Sequence, residues 1–168
     1  MSKAVQPLFN MRIRPIEPED FAFIRSLAAE FQTFTVPPEY ILWFFVHFHP
    51  DYCRVIEQES GSLKAYLLAM PTSNPRNGVA IWQVAAATPN RGFALEYFAS
   101  HIRDLADRTG ATSIFFTTSQ EPASLRLIRT LAKQFFDCEV ERVNHVPVGQ
   151  GEHEFRLCIG RRDDRIAP

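Results

Sequence analysis

Three adjacent polar residues near the C-terminus, Glu152, His153 and Glu154, form a group able to move a proton. An imidazole with an ordinary pKa near 6.5 accepts a proton at neutral pH, so His153 is the foremost candidate base, with Glu152 and Glu154 beside it. The same run in a solvated loop would do no chemistry, and the residues alone leave both readings open. A second feature is Gly92-Phe93-Ala94, a Gly-x-Ala at a strand-to-helix turn. Closely spaced amides at a helix N-terminus suit an anion such as a phosphate. His47 and His49, with Asp51 and Cys53 nearby, could be taken for a metal cluster. Their spacing straddles a helix end and Pro50, where side chains diverge, and zinc needs three or four converging ligands. No metal is therefore expected.

The elements that must position these groups come from 168 residues, a length that suits one domain with a real core. Apolar residues make up 46% and charged residues 22%, ordinary for a globular protein, and fifteen Phe imply an aromatic interior or an apolar pocket. Eighteen Lys and Arg face nineteen Asp and Glu, a net charge of −1 with no basic stripe for nucleic acid. The apolar run Tyr40–Val46 falls far short of the roughly 20 residues that span a bilayer. Residues Met1–Asn10 carry one Lys and no long apolar core, unlike a secretory signal. Cys53, Cys138 and Cys158 stand far apart without a CxxC pair, as expected of buried thiols in a reducing compartment. A soluble cytoplasmic protein is the expectation.

Periodicity predicts a single domain over 11–160, with loose tails at 1–10 and 161–168. Met11–Arg14 opens as a strand, and Phe21, Ile24, Leu27, Ala28 and Phe31 follow at helical spacing. Glu39–Phe48 reads as a second helix whose aromatic stripe of Tyr40, Trp43, Phe44, Phe45 and Phe48 is mostly core, with part of a ligand site or a dimer interface as further uses. Strands are expected at Cys53–Gln58, Leu63–Met70 and Val79–Ala87. A long helix follows, striped by Leu95, Phe98, Ile102 and Leu105 and stopped at Gly110. Ser113–Thr118 is a strand, and Pro122 opens a helix striped by Leu125, Ile128, Leu131 and Phe135. Strands at Glu139–Val146 and Glu154–Ile159 end the order β-α-α-β-β-β-α-β-α-β-β.

Several segments fall in a familiar order. They are Ile81-Trp82-Gln83-Val84-Ala85; Gly92-Phe93-Ala94 with Tyr97-Phe98; Thr117-Thr118 with Ala123-Ser124 and Leu127; and Gly151–Ile159 containing His153-Glu154. With His47-Phe48 closing the second helix, they resemble the GCN5-related N-acetyltransferase superfamily, and within it the bacterial diaminobutyrate acetyltransferases. The resemblance covers most of the chain. It implies an α/β (α+β) fold with a mixed, mainly antiparallel sheet, about four helices, and fourth and fifth strands that splay to hold acetyl-CoA. It also implies that the backbone at Val84, Ala85 and Ala86 meets the pantetheine arm and the thioester oxygen. The small Ala85 and Ala86 side chains would allow close approach, or are simply core alanines. Arg91, Gly92, Phe93 and Ala94 would hold the pyrophosphate, with Ser124 also on the cofactor. Pro89 stands where the family's phosphate motif has Gln or Arg, and the turn is shorter.

On the acceptor side the resemblance sets Phe34, Val36 and Phe116 at positions where the diaminobutyrate enzymes carry acid or amide groups, and Trp82 as a wall. A cation loses its ion partners there, which argues against diaminobutyrate. The family's tyrosine acid falls at Ile128, leaving Glu152, His153 and Glu154 for proton transfer. The expected function is acetyl-CoA-dependent N-acetylation of a small amine or amino acid, with a possible homodimer. The alternative is a catalytically inactive fold member that binds a ligand or partner. Acetylation of protein N-termini or lysines would call for a broad acidic groove, and no acid run supplies one.

Overall fold

Alternation along the strands sorts apolar side chains onto two faces of one sheet, and a helical layer covers each. The computed structural model describes residues 11–31, 34–72, 78–87, 91–119, 122–138, 140–142 and 152–158. Strand β1 (Met11–Pro15) leads through a 3-10 turn (Pro18–Asp20) into α1 (Phe21–Ala29) and α2 (Glu39–Phe48). Strands β2 (Arg54–Gln58), β3 (Leu63–Thr72) and β4 (Gly78–Ala86) precede the long helix α3 (Arg91–Thr109). Then come β5 (Ser113–Ser119), α4 (Pro122–Leu131), a π-helical turn (Ala132–Phe136), β6 (Val140–Arg142) and β7 (Glu152–Cys158). The seven strands lie in the order β1-β2-β3-β4-β5-β7-β6. Strands β4 and β5 pair in parallel across the α3 crossover, and the other neighbours are antiparallel. This is the mixed, mainly antiparallel α/β sheet with four helices that the sequence predicts.

On one face Val55, Tyr66, Leu68 and Ala85 meet Ile24, Leu27 and Ala28 of α1 and Leu42 and Phe45 of α2. On the other, Ile56, Leu67, Val79, Ala86, Ile114 and Phe116 meet Ala94, Phe98, Ile102 and Leu105 of α3, with Phe136. The buried stripe of α3 begins at Ala94 rather than Leu95, which is only partly buried. Helix α3 ends as expected: Gly110 takes φ +69° and the Ala111 amide donates to the Ala106 carbonyl at 3.0 Å, a Schellman closure.

Three expectations are corrected. Regular helix was expected to carry Phe135 inward, but the backbone widens into the π turn after Leu131. The additional residue per turn brings Phe136 into the core and leaves Phe135 half-buried. Helix α2 buries only Leu42 and Phe45; Tyr40, Trp43, Phe44 and Phe48 are exposed rather than core. Strand β7 starts at Glu152, two residues earlier than expected. Of the predicted strand Glu139–Val146, residues 140–142 are strand and the rest, like Ile159 and both tails, lie outside the described residues.

A polar clasp ties the sheet edge to the start of α1. Arg14 of β1 donates to both Asp20 carboxylate oxygens at 2.7 and 2.8 Å and to Glu57 of β2 at 3.1 Å. Arg12 donates to the same Glu57 at 2.7 Å. The two guanidiniums hold the Glu57 carboxyl below the usual carboxylate range.

Candidate active site between diverging strands

Strand β4 carries one residue too many for its partner. Leu68 of β3 pairs with Gln83 and Ala69 with Ile81, so Trp82 is left as a bulge. A bulge bends its strand and increases the local twist. The consequence appears on the other edge of β4: parallel pairing runs from Gly78–Ser113 to Ile81–Phe116 and stops there. Beyond that point Gln83–Ala86 remain paired to β3, while Thr117, Thr118 and Ser119 of β5 pair with Glu154, His153 and Glu152 of β7. The two strands therefore part. Alternate peptide groups of Trp82–Ala86 face the gap with no β5 partner.

Helix α3 starts five residues after β4 ends, at the same end of the sheet as the gap. Its first turn holds no acidic residue. Gly92 is exposed, and a Cβ built on it would meet nothing within 4 Å. Among the described residues, neither packing nor backbone angle calls for a glycine there.

The α1–α2 side supplies an aromatic lip. The Trp82 ring lies 5.3 Å from that of buried Phe45 and stays 38% exposed. Phe34 stacks on Phe31 at 4.8 Å, and Val36 is also 38% exposed. One polar chain pins this lip: the Tyr66 hydroxyl donates to Gln83 Oε1 at 2.8 Å, and Gln83 Nε2 donates to the Thr35 carbonyl at 3.1 Å. Burial pushes the Tyr66 phenol well above its ordinary value, so it remains a neutral donor. Sequence reasoning missed Gln83 and Tyr66 in this positioning role. The available signal was a lone amide inside the apolar strand Ile81–Ala86.

No protein-family model matches the sequence, and no curated protein matches it. Solved structures do. Diaminobutyrate acetyltransferase EctA from Paenibacillus lautus, in complex with L-2,4-diaminobutyric acid and coenzyme A, superposes with a TM-score of 0.70. It is 20% identical, over 89% of this chain and 95% of that one. Ard1 from Thermoplasma volcanium gives 0.69 at 14% identity over 90% and 99% of the two chains. The putative acetyltransferase yncA from Salmonella typhimurium, with its cofactor acetyl-CoA, gives 0.64 at 19% over 95% and 98%. The chain has the GCN5-related N-acetyltransferase fold.

Within that fold the predicted site residues fall into distinct places. The side chains of Ala85 and Ala86 are core, on opposite faces of the sheet, and Val84 packs partly on the α3 side. What the three offer the gap is backbone. Ala94 is buried against the sheet, Phe93 lies 4.3 Å from the Tyr97 ring, and Arg91 opens α3. Ser124 lies in the first turn of α4. Glu152, His153 and Glu154 occupy register positions opposite Ser119, Thr118 and Thr117, beyond the last β4–β5 pair. Phe34 packs on the α1–α2 core and Trp82 against Phe45 of α2, while Val36 is exposed. Phe116 does not join them: it is buried in the α3-side core, because alternation along β5 gives it the face of Ile114. Phe116 is therefore removed from the expected acceptor wall.

Among the described residues no group of three His, Cys, Asp or Glu could hold a metal ion. Cys53 is buried, with its thiol on the Ala69 carbonyl. No described helix is long and apolar enough to cross a membrane.

Proposed function

We propose that the chain is an acetyl-CoA-dependent N-acetyltransferase whose acceptor is a small, partly apolar monoamine. The observation that carries this reading is the end of β4–β5 pairing at Ile81–Phe116, which leaves Trp82–Ala86 as an open backbone edge beside the start of α3. The pantetheine arm is a chain of amides and suits such an edge, as an added strand would. The pyrophosphate suits a helix start with no acid in its first turn and open space at Gly92. When bound, acetyl-CoA supplies the thioester carbonyl that an amine attacks.

The chain's own groups then bind, orient and move a proton. An N–H on the open β4 edge donates to the thioester oxygen, where negative charge develops. His153, with Glu152 and Glu154, accepts the proton that the amine loses. Trp82, Val36 and Phe34 hold the apolar body of the acceptor. Diaminobutyrate would have to strip a second ammonium against this apolar lip, so it is a poor substrate. The fold shared with a diaminobutyrate acetyltransferase solved in complex with coenzyme A, and with a putative acetyltransferase solved with acetyl-CoA, supports the cofactor assignment.

The test is a screen for acetyl-CoA-dependent thiol release over monoamines, amino acids and diamines, run beside thermal unfolding with and without coenzyme A. Turnover of an apolar monoamine with weak or no turnover of diaminobutyrate is expected, together with a ligand-induced rise in Tm. Strong diaminobutyrate turnover overturns the acceptor assignment. A thermal shift without turnover selects a non-catalytic binding protein, and silence in both assays removes the cofactor.

A further inference from the structure

Helix α2 has two faces. Leu42 and Phe45 are buried beneath it, whereas Tyr40, Trp43, Phe44 and Phe48 are 70%, 49%, 44% and 63% exposed. With Ile41 and His47 they line an open groove of about 460 Å³. At 100° per residue, Trp43, His47, Tyr40, Phe44 and Phe48 form one continuous arc opposite the buried pair. From Glu39 to Phe48 the helix contains no Lys or Arg and a single carboxylate, Glu39. Aromatic enrichment with few charges is the composition of an interface core.

We propose that this face pairs with α2 of a second copy of the chain, antiparallel about a two-fold axis passing between Trp43 and Phe44. Area is the first argument. Aromatic side chains bury about 150–250 Å² each, so the exposed fractions leave on the order of 500 Å² on α2. Doubled across a two-fold this reaches the roughly 1,000 Å² that a specific interface requires. Charge pattern is the second. Antiparallel pairing sets exposed Tyr40 opposite His47 of the partner subunit, so that their polar edges meet. It also brings Glu39, at the helix N-terminus, to the end of the partner helix where that copy's His47 lies. With no cation of Lys or Arg type, the face offers nothing to an anionic membrane surface.

The experiment is sedimentation equilibrium of the full chain, which is expected to give about twice the 19.2 kDa chain mass. The double variant Tyr40→Asp/Phe48→Glu should raise the dissociation constant at least about thirtyfold, the loss of an interface hot spot, with an unchanged circular dichroism spectrum. Tyr40→Glu alone should weaken the dimer, and adding His47→Lys in the same chain should restore it, because each Glu then faces the partner's Lys. A monomeric wild type, a dimer indifferent to the double variant, or failure of the charge pair to rescue would overturn the pairing. So would a monomer that co-sediments with phosphatidylcholine vesicles, which would give the face to a lipid surface.

Discussion

Gln83 joins the fully buried Tyr66 hydroxyl to the Thr35 carbonyl, with its own side chain nearly enclosed. Replacing it with Leu keeps the bulk and removes both bonds. A buried hydroxyl left without a partner costs about 1–3 kcal/mol, so chemical denaturation of Gln83→Leu should show a loss in that range. If the loop holds the acceptor and does no chemistry, as proposed, its release should raise KM for the acceptor more than it lowers kcat. Equal falls in kcat and kcat/KM with KM unchanged would contradict that division. Gly92 tests the other end of the site. A Cβ there touches nothing and its φ is unremarkable, so Gly92→Glu should leave the free protein as stable or up to about 1 kcal/mol more stable. The same change sets bulk and a like charge where the pyrophosphate would lie, and the thermal shift given by coenzyme A should vanish. A retained shift would move the phosphate elsewhere.

At the scale of elements, Ile102 carries α3. It is 2% exposed among Phe98, Leu105 and the strands of the α3-side core, so Ile102→Ala should cost about 2–5 kcal/mol in denaturant unfolding. Much of this layer was legible in the sequence. The spacing of Phe98, Ile102 and Leu105, the stop at Gly110 and the strand at Ser113–Thr118 are local patterns, and each recurs in the fold. Features that arise from pairing were not legible. The bulge at Trp82 is defined by the register of β3 against β4, and nothing in Ile81–Ala86 alone says which residue will lack a partner. The same holds for Phe116: the resemblance set it on the acceptor side, and only the phase of β5 decides which face it takes. Helix α2 misled for a related reason. Its apolar residues run all round, so composition suggested burial, yet the sheet covers only the side of Leu42 and Phe45.

The whole molecule should respond to acid in two separable steps. His101 of α3 lies against the α2–β2 connection, its Nε2 3.1 Å from the Asp51 carbonyl oxygen. Burial, with help from nearby Arg54, pushes its imidazole from 6.5 down to about 4. Between those values the unfolded chain binds a proton that the native chain refuses, so stability falls as pH drops from 6.5 toward 4. Burial lowers His49 in the same direction. The Glu57 carboxyl is lowered too, by its hydrogen-bonded arginines rather than by burial, and its effect sets in at lower pH. Arg12 and Arg14 keep it ionised in the native state, so its contribution is complete above the ordinary carboxylate value of 4.5 and is lost as pH falls below it. Thermal midpoints of the wild type should therefore decline first through the imidazole window and then through the carboxylate window. His101→Gln should flatten the first decline and leave the second. Glu57→Gln should lower the midpoint near neutrality, leave the first decline in place and make the second shallower, because the Glu57 charge beside Arg12 and Arg14 is then no longer there to lose. A wild-type midpoint that stays level between pH 6.5 and 4 would mean that the His101 imidazole is hydrated in solution and that the α3 contact with the Asp51 carbonyl is open.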